Sequence, residues 1–250
     1  MRNIKLVLEY DGAPYFGFQR QPRHRTVQEA LEKALSSLLN RPAKITAASG
    51  RTDTGVHARG QVVNFRTDAP MDLLSVRKGL NALLPRDIAV LSAEEVPASF
   101  HARYSARQKT YEYQIWNQAV RSPLRAARAF HVTGPLNLAR MRRAARKLLG
   151  CHDFRSFCAA DPSGKDRENT VRTLSRFEVL KKGPLLRIVV TGDGFLYKMV
   201  RNLVGTLLEI GSGKMSLEDL DTILKARDRR KAGKTAPAHG LTLISVDYEV

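Results

Sequence analysis

Segments of strand periodicity and helix periodicity alternate along the first hundred residues, and this alternation restricts the possible folds most strongly. Apolar and polar residues alternate from Arg2 to Tyr10, which predicts a strand. Thr26 and Glu29 have the spacing of a capping box, and an amphipathic helix follows to about Asn40. Further strands are predicted at residues 44–48, 61–67 and 88–96, and a second helix at residues 73–84. Residues 1–105 are therefore expected to form an α+β half.

A second series of strands and helices occupies the rest of the chain. The segment from Lys109 to Trp116 is a strand of period 2 that places Tyr111 and Tyr113 on one face. Further elements are predicted as an arginine-rich helix at 137–149, strands at 172–179 and 185–190, a buried helix from about Phe195, a helix at 216–227 and a last strand ending near Val250. Residues 159–169 have the composition of a mobile loop. Residues 106–250 are thus expected to form a second α+β half, which makes the predicted fold class α+β with antiparallel or mixed sheets.

The charge balance indicates a polyanionic partner. The chain has 42 Lys and Arg residues against 24 Asp and Glu, a formal net charge of +18. Because arginine suits bidentate contact with phosphate, nucleic acid is favoured over a membrane surface. No apolar run reaches the roughly 20 residues that span a bilayer, and the N-terminus lacks a secretory signal pattern. Cys151 and Cys158 lack the further ligands of a zinc site, so a cytoplasmic protein with reduced thiols is predicted.

The segment from Ala47 to Phe65 holds the densest group of chemically useful residues. It combines Arg51, Asp53 and His57 with three glycines, which let the backbone approach a ligand closely. Arg51 and Asp53 stand two positions apart, so their side chains share one face of an extended segment. A solvated ion pair in a polar turn is the simpler interpretation. The density of such residues favours a chemical role.

Three further segments add candidate contacts. Residues 15–25 mix aromatic residues with arginines, which suits RNA, although Tyr15 and Phe16 are equally suited to anchor a loop on the core. The helix at 137–149 has five cations on its outer side, which favours a phosphate-facing surface over a merely solvated one. Arg201 interrupts a buried apolar helix, so it needs a carboxylate partner or must extend outward.

Four segments, in this order, resemble the tRNA pseudouridine synthase A family. They are Gly50–Ala58, which reads Gly-Arg-Thr-Asp-Thr-Gly-Val-His-Ala, then Lys109–Tyr113, Met199–Gly205 and Ala236–Leu241. The resemblance covers nearly the whole chain. It implies the pseudouridine synthase fold, with two similar α+β halves whose sheets join side by side around a basic central cleft. It also implies an isomerase without cofactor or metal, which breaks the N-glycosidic bond of a uridine, turns the uracil and rejoins it through C5.

The resemblance further implies a substrate, an assembly and a set of site residues. The substrate is tRNA, with target uridines at positions 38, 39 and 40 of the anticodon stem-loop, and the assembly is a homodimer. Asp53 matches the catalytic aspartate, Tyr111 the tyrosine stacked on the target base, and Arg201 the arginine that pairs with the aspartate. The other matched residues, which are expected to bind the substrate, are Arg51 at the flipped-out nucleotide and Thr52, Gly55, His57, Gln61, Gly240 and Leu241. The chain departs from the family pattern at Tyr197-Lys198-Met199, where His-x-Met is expected.

The chemistry of these residues is consistent with that activity and leaves one step open. A base inside a stem must be flipped out, at a cost of a few kcal/mol that stacking on Tyr111 can offset. Asp53 can act as a nucleophile at the sugar C1′ or as a base at C2′. Arg201 would keep Asp53 ionised, because an opposite charge nearby lowers the pKa of a carboxylate.

Two other functions also fit the charge. A non-catalytic RNA-binding or RNA-chaperone protein would explain the net charge, but it gives no role to the carboxylate, the tyrosine and the buried arginine. A metal-dependent nuclease would need clustered carboxylates around Asp53, and only Asp68 lies near it in sequence.

Overall fold

A computed structural model describes residues 1–160 and 169–248, which form two compact units. The first unit contains Met1–Arg107 and the C-terminal strand from Thr242 onward, and the second contains Gln108–Leu241. The sequence-based boundary was expected at residue 105, with the last strand in the second half. Most of the loop predicted at residues 159–169 lies outside the described residues.

The first unit pairs two helices with a sheet of mixed direction. Its elements are β1 (Arg2–Tyr10), α1 (Val27–Leu38), β2 (Ile45–Ala48), β3 (His57–Thr67), α2 (Leu73–Leu83), β4 (Ile88–Val96) and the last strand of the chain (Leu241–Tyr248). The strand order is β4, β1, β3, last strand, with β2 also paired to β3. The pairs are antiparallel except for β3 and the last strand, which run parallel.

The second unit repeats this composition with three helices. Its elements are β5 (Ala106–Asn117), β6 (Phe130–Val132), α3 (Leu138–Lys147), β7 (Gly150–Asp153), β8 (Val171–Lys182), β9 (Leu185–Gly192), α4 (Met199–Gly211) and α5 (Asp219–Ala226). The last strand of the chain is therefore β10. The order β5, β9, β8, β7 is antiparallel, and the short β6 runs parallel to β5. The fold class α+β is confirmed.

Alternating and helical apolar positions form the two cores. In β1 the side chains of Ile4, Leu6 and Leu8 are fully buried, as are Leu31 of α1 and Leu80 of α2. Each such side chain stabilises the fold by about 1.5–3 kcal/mol when it leaves water. In the second unit the core is built from β5, β9 and α4, whose fully buried residues include Tyr113, Ile115, Ile188, Leu203 and Leu207.

One predicted helix begins later than its periodicity indicated. The apolar spacing predicted a start near Phe195, but α4 begins at Met199. Lys198 adopts a left-handed conformation at φ 56°, and the Met199 N–H donates to the carbonyl of Leu196 at 3.0 Å. Leu196 is buried in this turn, so its apolar character reflects burial and not helix. The turn places Arg201 in the first helical turn of α4.

Candidate active site

The loop between β2 and β3 carries Asp53, and its backbone is bonded on both sides of that residue. The Phe18 N–H donates to the carbonyl of Thr52 at 3.0 Å, and the Gly55 N–H donates to the carbonyl of Tyr15 at 3.3 Å. The Val56 N–H closes a turn on the carbonyl of Asp53 at 3.1 Å. The segment that follows β1 therefore fixes the position of the Asp53 loop, although neither of them is a helix or a strand at these bonds.

Buried hydroxyl and amide groups hold the same loop from below. The Thr52 hydroxyl, in a side chain that is 6% exposed, is hydrogen-bonded to the Tyr10 phenol at 2.8 Å. Gln61 is fully buried on β3, where its amide nitrogen donates to the carbonyl of Gly50 at 3.0 Å. The Gln61 carbonyl accepts from the Ser49 hydroxyl at 2.5 Å. These contacts bind the positions before Asp53 to the sheet.

Burial governs the acidity of the phenol at the centre of this network. Removal from water raises the pKa of Tyr10 to about 12, although the hydrogen bonds from Thr52 and Gln61 act in the opposite direction. Tyr10 therefore remains a neutral hydrogen-bonding group across the physiological range.

His57 lies at the start of β3 and is fully buried. Its Nδ1 atom accepts from the Gly12 N–H at 3.1 Å and also lies 3.0 Å from a carboxylate oxygen of Asp11. The ring thus ties the end of the Asp53 loop to the turn after β1. Within the first unit, Arg51 is exposed and Asp53 is half-buried, whereas Thr52, His57 and Gln61 face the interior.

Tyr111 lies on β5, opposite Val190 of β9, and is 9% exposed. The edge of one ring meets the face of the other between Tyr111 and Phe195, with ring centroids 5.1 Å apart and planes at 86°. This contact fixes the plane of the Tyr111 ring. An aromatic ring with a fixed plane is suited to stack on a base.

Arg201 is half-buried in α4 and is bonded through both its side chain and its backbone to one segment. Its Nε–H donates to the carbonyl of Ala236 at 2.8 Å, and the Ala236 N–H donates to the carbonyl of Arg201 at 3.1 Å. Next in sequence, the carbonyl of Pro237 accepts from the Tyr113 hydroxyl at 2.8 Å. Burial raises the pKa of Tyr113, and the nearby positive charge of Arg201 opposes that rise.

Two predicted site residues, Gly240 and Leu241, lie at the end of the segment that begins at Ala236. Gly240 is buried against the Tyr113 ring, where a Cβ would lie 2.6 Å from Cζ. Leu241 follows as the first residue of β10 and is 5% exposed. The segment from Ala236 to Leu241 thus contacts both Arg201 and the strand that carries Tyr111.

The ten predicted site residues divide between the two units. Six of them, from Arg51 to Gln61, lie in the first unit, and Tyr111, Arg201, Gly240 and Leu241 lie in the second. Sequence reasoning missed three residues that hold these segments: Tyr10 and Ser49, which hydrogen-bond beneath the Asp53 loop, and Tyr113, which donates to the carbonyl of Pro237.

The two basic segments predicted to contact RNA have distinct structures. Tyr15 is buried, and its phenol bonds to Asp87 and Arg25, whereas Phe16 is 48% exposed and stacks on His24 at 4.3 Å. A cavity of about 900 Å³ is lined by His24 and not by Asp53, and its charged lining residues are Arg20, Arg23, Arg25, Glu29 and Lys33. Tyr15 therefore anchors the loop, and Phe16 lies on the surface.

On α3 the cations are exposed, as the amphipathic pattern predicted. Lys147 pairs with Asp221 at 2.6 Å, and the Nε–H of Arg142 donates to the carbonyl of Val179 at 3.0 Å. The contact of this helix with phosphate remains a prediction.

Neither a metal cluster nor a membrane helix occurs in residues 1–160 and 169–248. No three His, Cys, Asp or Glu side chains gather there in a way that could hold a metal ion. In the same ranges no helix combines the length and apolar content that crossing a bilayer requires.

Comparison with known proteins assigns the chain to a family. The profile of the tRNA pseudouridine synthase family matches residues 6–105 and 144–249. A tRNA pseudouridine synthase A from Geobacter sp. (strain M21) is 48% identical over 249 residues, which cover 99% of each chain. Another from Halalkalibacterium halodurans is 49% identical over 243 residues, covering 96% of this chain and 90% of that protein. Among solved structures, a Cbf5-Nop10-Gar1 complex aligns with 96% of this chain and 48% of its own, at a TM-score of 0.42 and 12% identity.

The chain belongs to the tRNA pseudouridine synthase family. It is an enzyme of the isomerase class that acts on uridine in tRNA, and its full-length relatives are synthases of the A type. The resemblance read from the four sequence segments is confirmed. The family assignment rests on the sequence matches, which run along nearly the entire chain.

Proposed function

We propose that this enzyme converts uridine to pseudouridine at positions 38, 39 and 40 of the tRNA anticodon stem-loop, with Asp53 as the catalytic carboxylate. The observation that carries the proposal is the anchoring of the Asp53 loop. Hydrogen bonds fix its backbone at Thr52, Asp53 and Gly55, while the Asp53 side chain is only half-buried. A held but accessible carboxylate is suited to act on a sugar that enters the site.

The reaction exchanges one bond to C1′ for another within the same nucleoside. The bond between N1 of uracil and C1′ breaks, the base turns, and a bond forms between C5 and C1′, while the C5 proton leaves to solvent and N1 takes up a proton. Asp53 supplies the ionised carboxylate, as nucleophile at C1′ or as base at C2′. Because C5 loses its hydrogen, release of tritium from C5-labelled uridine counts turnovers.

Three other side chains complete the proposed site. Arg201 pairs with Asp53 and orients its carboxylate, while the Nε–H of Arg201 is already occupied by the carbonyl of Ala236. Tyr111 stacks on the target base, with its ring plane held by Phe195. Arg51, exposed two positions before Asp53, holds the flipped-out nucleotide through its phosphate. Thr52, His57 and Gln61 contribute by holding the loop, and Gly55, Gly240 and Leu241 complete the wall around the nucleotide.

The test replaces the Asp53 carboxylate by an amide of the same shape. Asp53→Asn is expected to bind tRNA with parental affinity and to lower the single-turnover rate of tritium release by roughly 1,000-fold or more. Asp68→Asn is the matched control, because it also removes one negative charge from the first unit, at an exposed carboxylate paired with Arg41. The control is expected to keep the parental rate.

The outcomes separate the rival functions. Parental tritium release by Asp53→Asn would refute the role of Asp53. Parental enzyme that binds tRNA but releases no tritium would indicate an RNA-binding protein without catalysis. Release that EDTA abolishes would indicate metal-dependent chemistry. Transcripts that carry uridine at only one of positions 38, 39 and 40 test the proposed targets one at a time.

The proposal includes the assembly and location of the enzyme. We place it in the cytoplasm as a homodimer that binds one tRNA across both subunits, and the net charge of +18 on each chain favours binding of such a large polyanion. Light scattering coupled to size-exclusion chromatography, with and without tRNA, measures the mass, and a monomer in the tRNA complex would refute the dimer.

A further inference from the structure

The carbonyl of Ala236 that receives the Arg201 Nε–H belongs to a segment without helix or strand. Residues 232–237 lie between two short 3-10 turns, at Arg229–Lys231 and Ala238–Gly240. One backbone bond, from the Ala236 N–H to the carbonyl of Arg201 at 3.1 Å, ties this segment to α4, but its carbonyls belong to no helix or strand ladder. The direction of the Arg201 side chain therefore depends on what fixes the residues around Ala236.

A triangle of three polar side chains fixes the residue immediately before Ala236. The Thr235 hydroxyl donates to the Asn202 side-chain oxygen at 2.7 Å and accepts from the Arg229 guanidinium at 2.9 Å. The same guanidinium nitrogen of Arg229 donates to that oxygen of Asn202 at 2.9 Å. Asn202 is fully buried, and its amide nitrogen donates to the carbonyl of Phe157 at 2.8 Å. The triangle thus ties Thr235 to α4 next to Arg201.

Two further contacts fix the segment on either side of the triangle. The Gly233 N–H donates to the Thr206 hydroxyl at 2.9 Å, and that hydroxyl donates to the carbonyl of Asn202 at 2.9 Å. After Ala236, the Pro237 carbonyl is bonded to Tyr113. The segment has little freedom to shift once these bonds have formed, and Thr235 is the residue of the triangle whose hydroxyl both donates and accepts.

We propose that Thr235, Arg229 and Asn202 are positioning residues for catalysis, which act by holding the Ala236 carbonyl so that the Arg201 guanidinium has one orientation. The inference rests on the proposed role of Arg201 as the partner of the catalytic carboxylate. None of the three residues needs to touch the tRNA. Loss of the triangle would leave Arg201 in place but free to take other side-chain conformations, which slows the chemical step without weakening tRNA binding.

The primary test is Thr235→Val, which keeps the shape of threonine and removes the hydroxyl. The single-turnover rate of tritium release is expected to fall about 10-fold to 100-fold, with the tRNA dissociation constant within about 3-fold of the parental value. Thr235→Ser restores a hydroxyl and is expected to recover most of the rate. Thr67→Val is the matched control, because Thr67 is a buried threonine of the first unit that also accepts from an arginine, Arg41. It is expected to lose stability but not rate.

A second variant covers the case in which Thr235→Val does not fold. Arg229→Lys keeps the charge but replaces a guanidinium nitrogen that donates to both Asn202 and Thr235, so the same fall in rate is expected. A folded Thr235→Val or Arg229→Lys enzyme with the parental rate would overturn the proposal. So would a fall in rate that Thr67→Val reproduces at equal loss of stability.

Combining Thr235→Val with Arg201→Lys tests the positioning role of Thr235 separately from the proposed role of Arg201. If Thr235 acts through Arg201, the double variant Arg201→Lys, Thr235→Val should lie within about 3-fold of Arg201→Lys alone. If the loss of rate in the double variant equals the product of the losses in the two single variants, Thr235 does not act through Arg201. If Arg201→Lys keeps the parental rate, the proposed role of Arg201 fails and the positioning role falls with it. If Arg201→Lys is slow and Thr235→Val is not, only the positioning role fails.

Discussion

The substitution Gly205→Ala tests the packing that holds Arg201. Gly205 lies inside α4, where alanine is intrinsically favoured over glycine by about 1 kcal/mol. A Cβ at this position, however, would lie 1.7 Å from the carbonyl oxygen of Lys234. The obstacle is backbone, so no rotation of a side chain can relieve the overlap. The segment that contains Lys234 would have to retreat by about 1.7 Å to reach an ordinary contact of 3.4 Å.

The cost follows from the hydrogen bonds that such a retreat breaks. The neighbouring bonds are the two between Arg201 and Ala236, at 2.8 Å and 3.1 Å, and the bond from Gly233 to Thr206 at 2.9 Å. At about 1 kcal/mol net for each bond, with further loss of packing, the penalty exceeds the gain in helix propensity. We expect Gly205→Ala to destabilise the protein by roughly 2–3 kcal/mol, which corresponds to a fall in Tm of about 5–10 °C.

Thermal and urea unfolding followed by circular dichroism measure this difference, with tritium release assayed on the folded variant. The matched control is Gly79→Ala, a glycine inside α2, where a new Cβ would lie 2.5 Å from Cδ1 of Leu38. That atom is the end of a side chain and can move, so the control should stay within about 1 kcal/mol of the parent. A Gly205→Ala enzyme as stable and as active as the parent would refute the reasoning, because the segment would then be free to move away from α4 without consequence.

Two further predictions concern the tyrosines. Tyr111→Ala should weaken tRNA binding by roughly 5-fold to 150-fold, because base stacking contributes about 1–3 kcal/mol. Tyr111→Phe keeps the ring and should bind tRNA as the parent does. Equal affinities of the two variants in a filter-binding assay would contradict stacking. Because burial raises the pKa of Tyr10 from 10.0 to about 12, its stabilising effect is complete below pH 10 and is lost as the pH rises from 10 to 12. The free energy of unfolding, and with it the urea midpoint, should therefore fall between pH 10 and pH 12. In Tyr10→Phe the free energy of unfolding should fall less steeply with pH, because about one proton fewer is released on unfolding. The same dependence on pH in both proteins would contradict the burial of an un-ionised Tyr10.

Local periodicity predicted most of the elements. The bounds of β1 and β4 match those read from the alternation of apolar residues, and α1, α2 and α3 match to within a few residues at their ends. Such elements are encoded locally, because burial on one face repeats every two or every 3.6 residues. The start of α4 was wrong because a buried turn residue, Leu196, carries the same apolar signal as a buried helical residue.

The sequence by itself determined the family, the enzyme class and the identity of the candidate reactive groups. Asp53, Tyr111 and Arg201 are recognisable as candidates because each stands in a segment that resembles a motif of the family. The partners of those groups are separated from them by tens of residues. Neither Tyr10 beneath Thr52 nor Thr235 beside Asn202 has a local pattern that points to its partner.

Only the tertiary structure decided how the reactive groups are held. A hydrogen bond forms between whichever donor and acceptor the chain brings within about 3 Å, and no periodicity in the sequence records that distance. Gly205 shows the same limit, because it reads as a weak point in a helix until the carbonyl of Lys234 is placed against it. Short motifs in the sequence identify the candidate site residues, and contacts between distant parts of the chain orient their side chains.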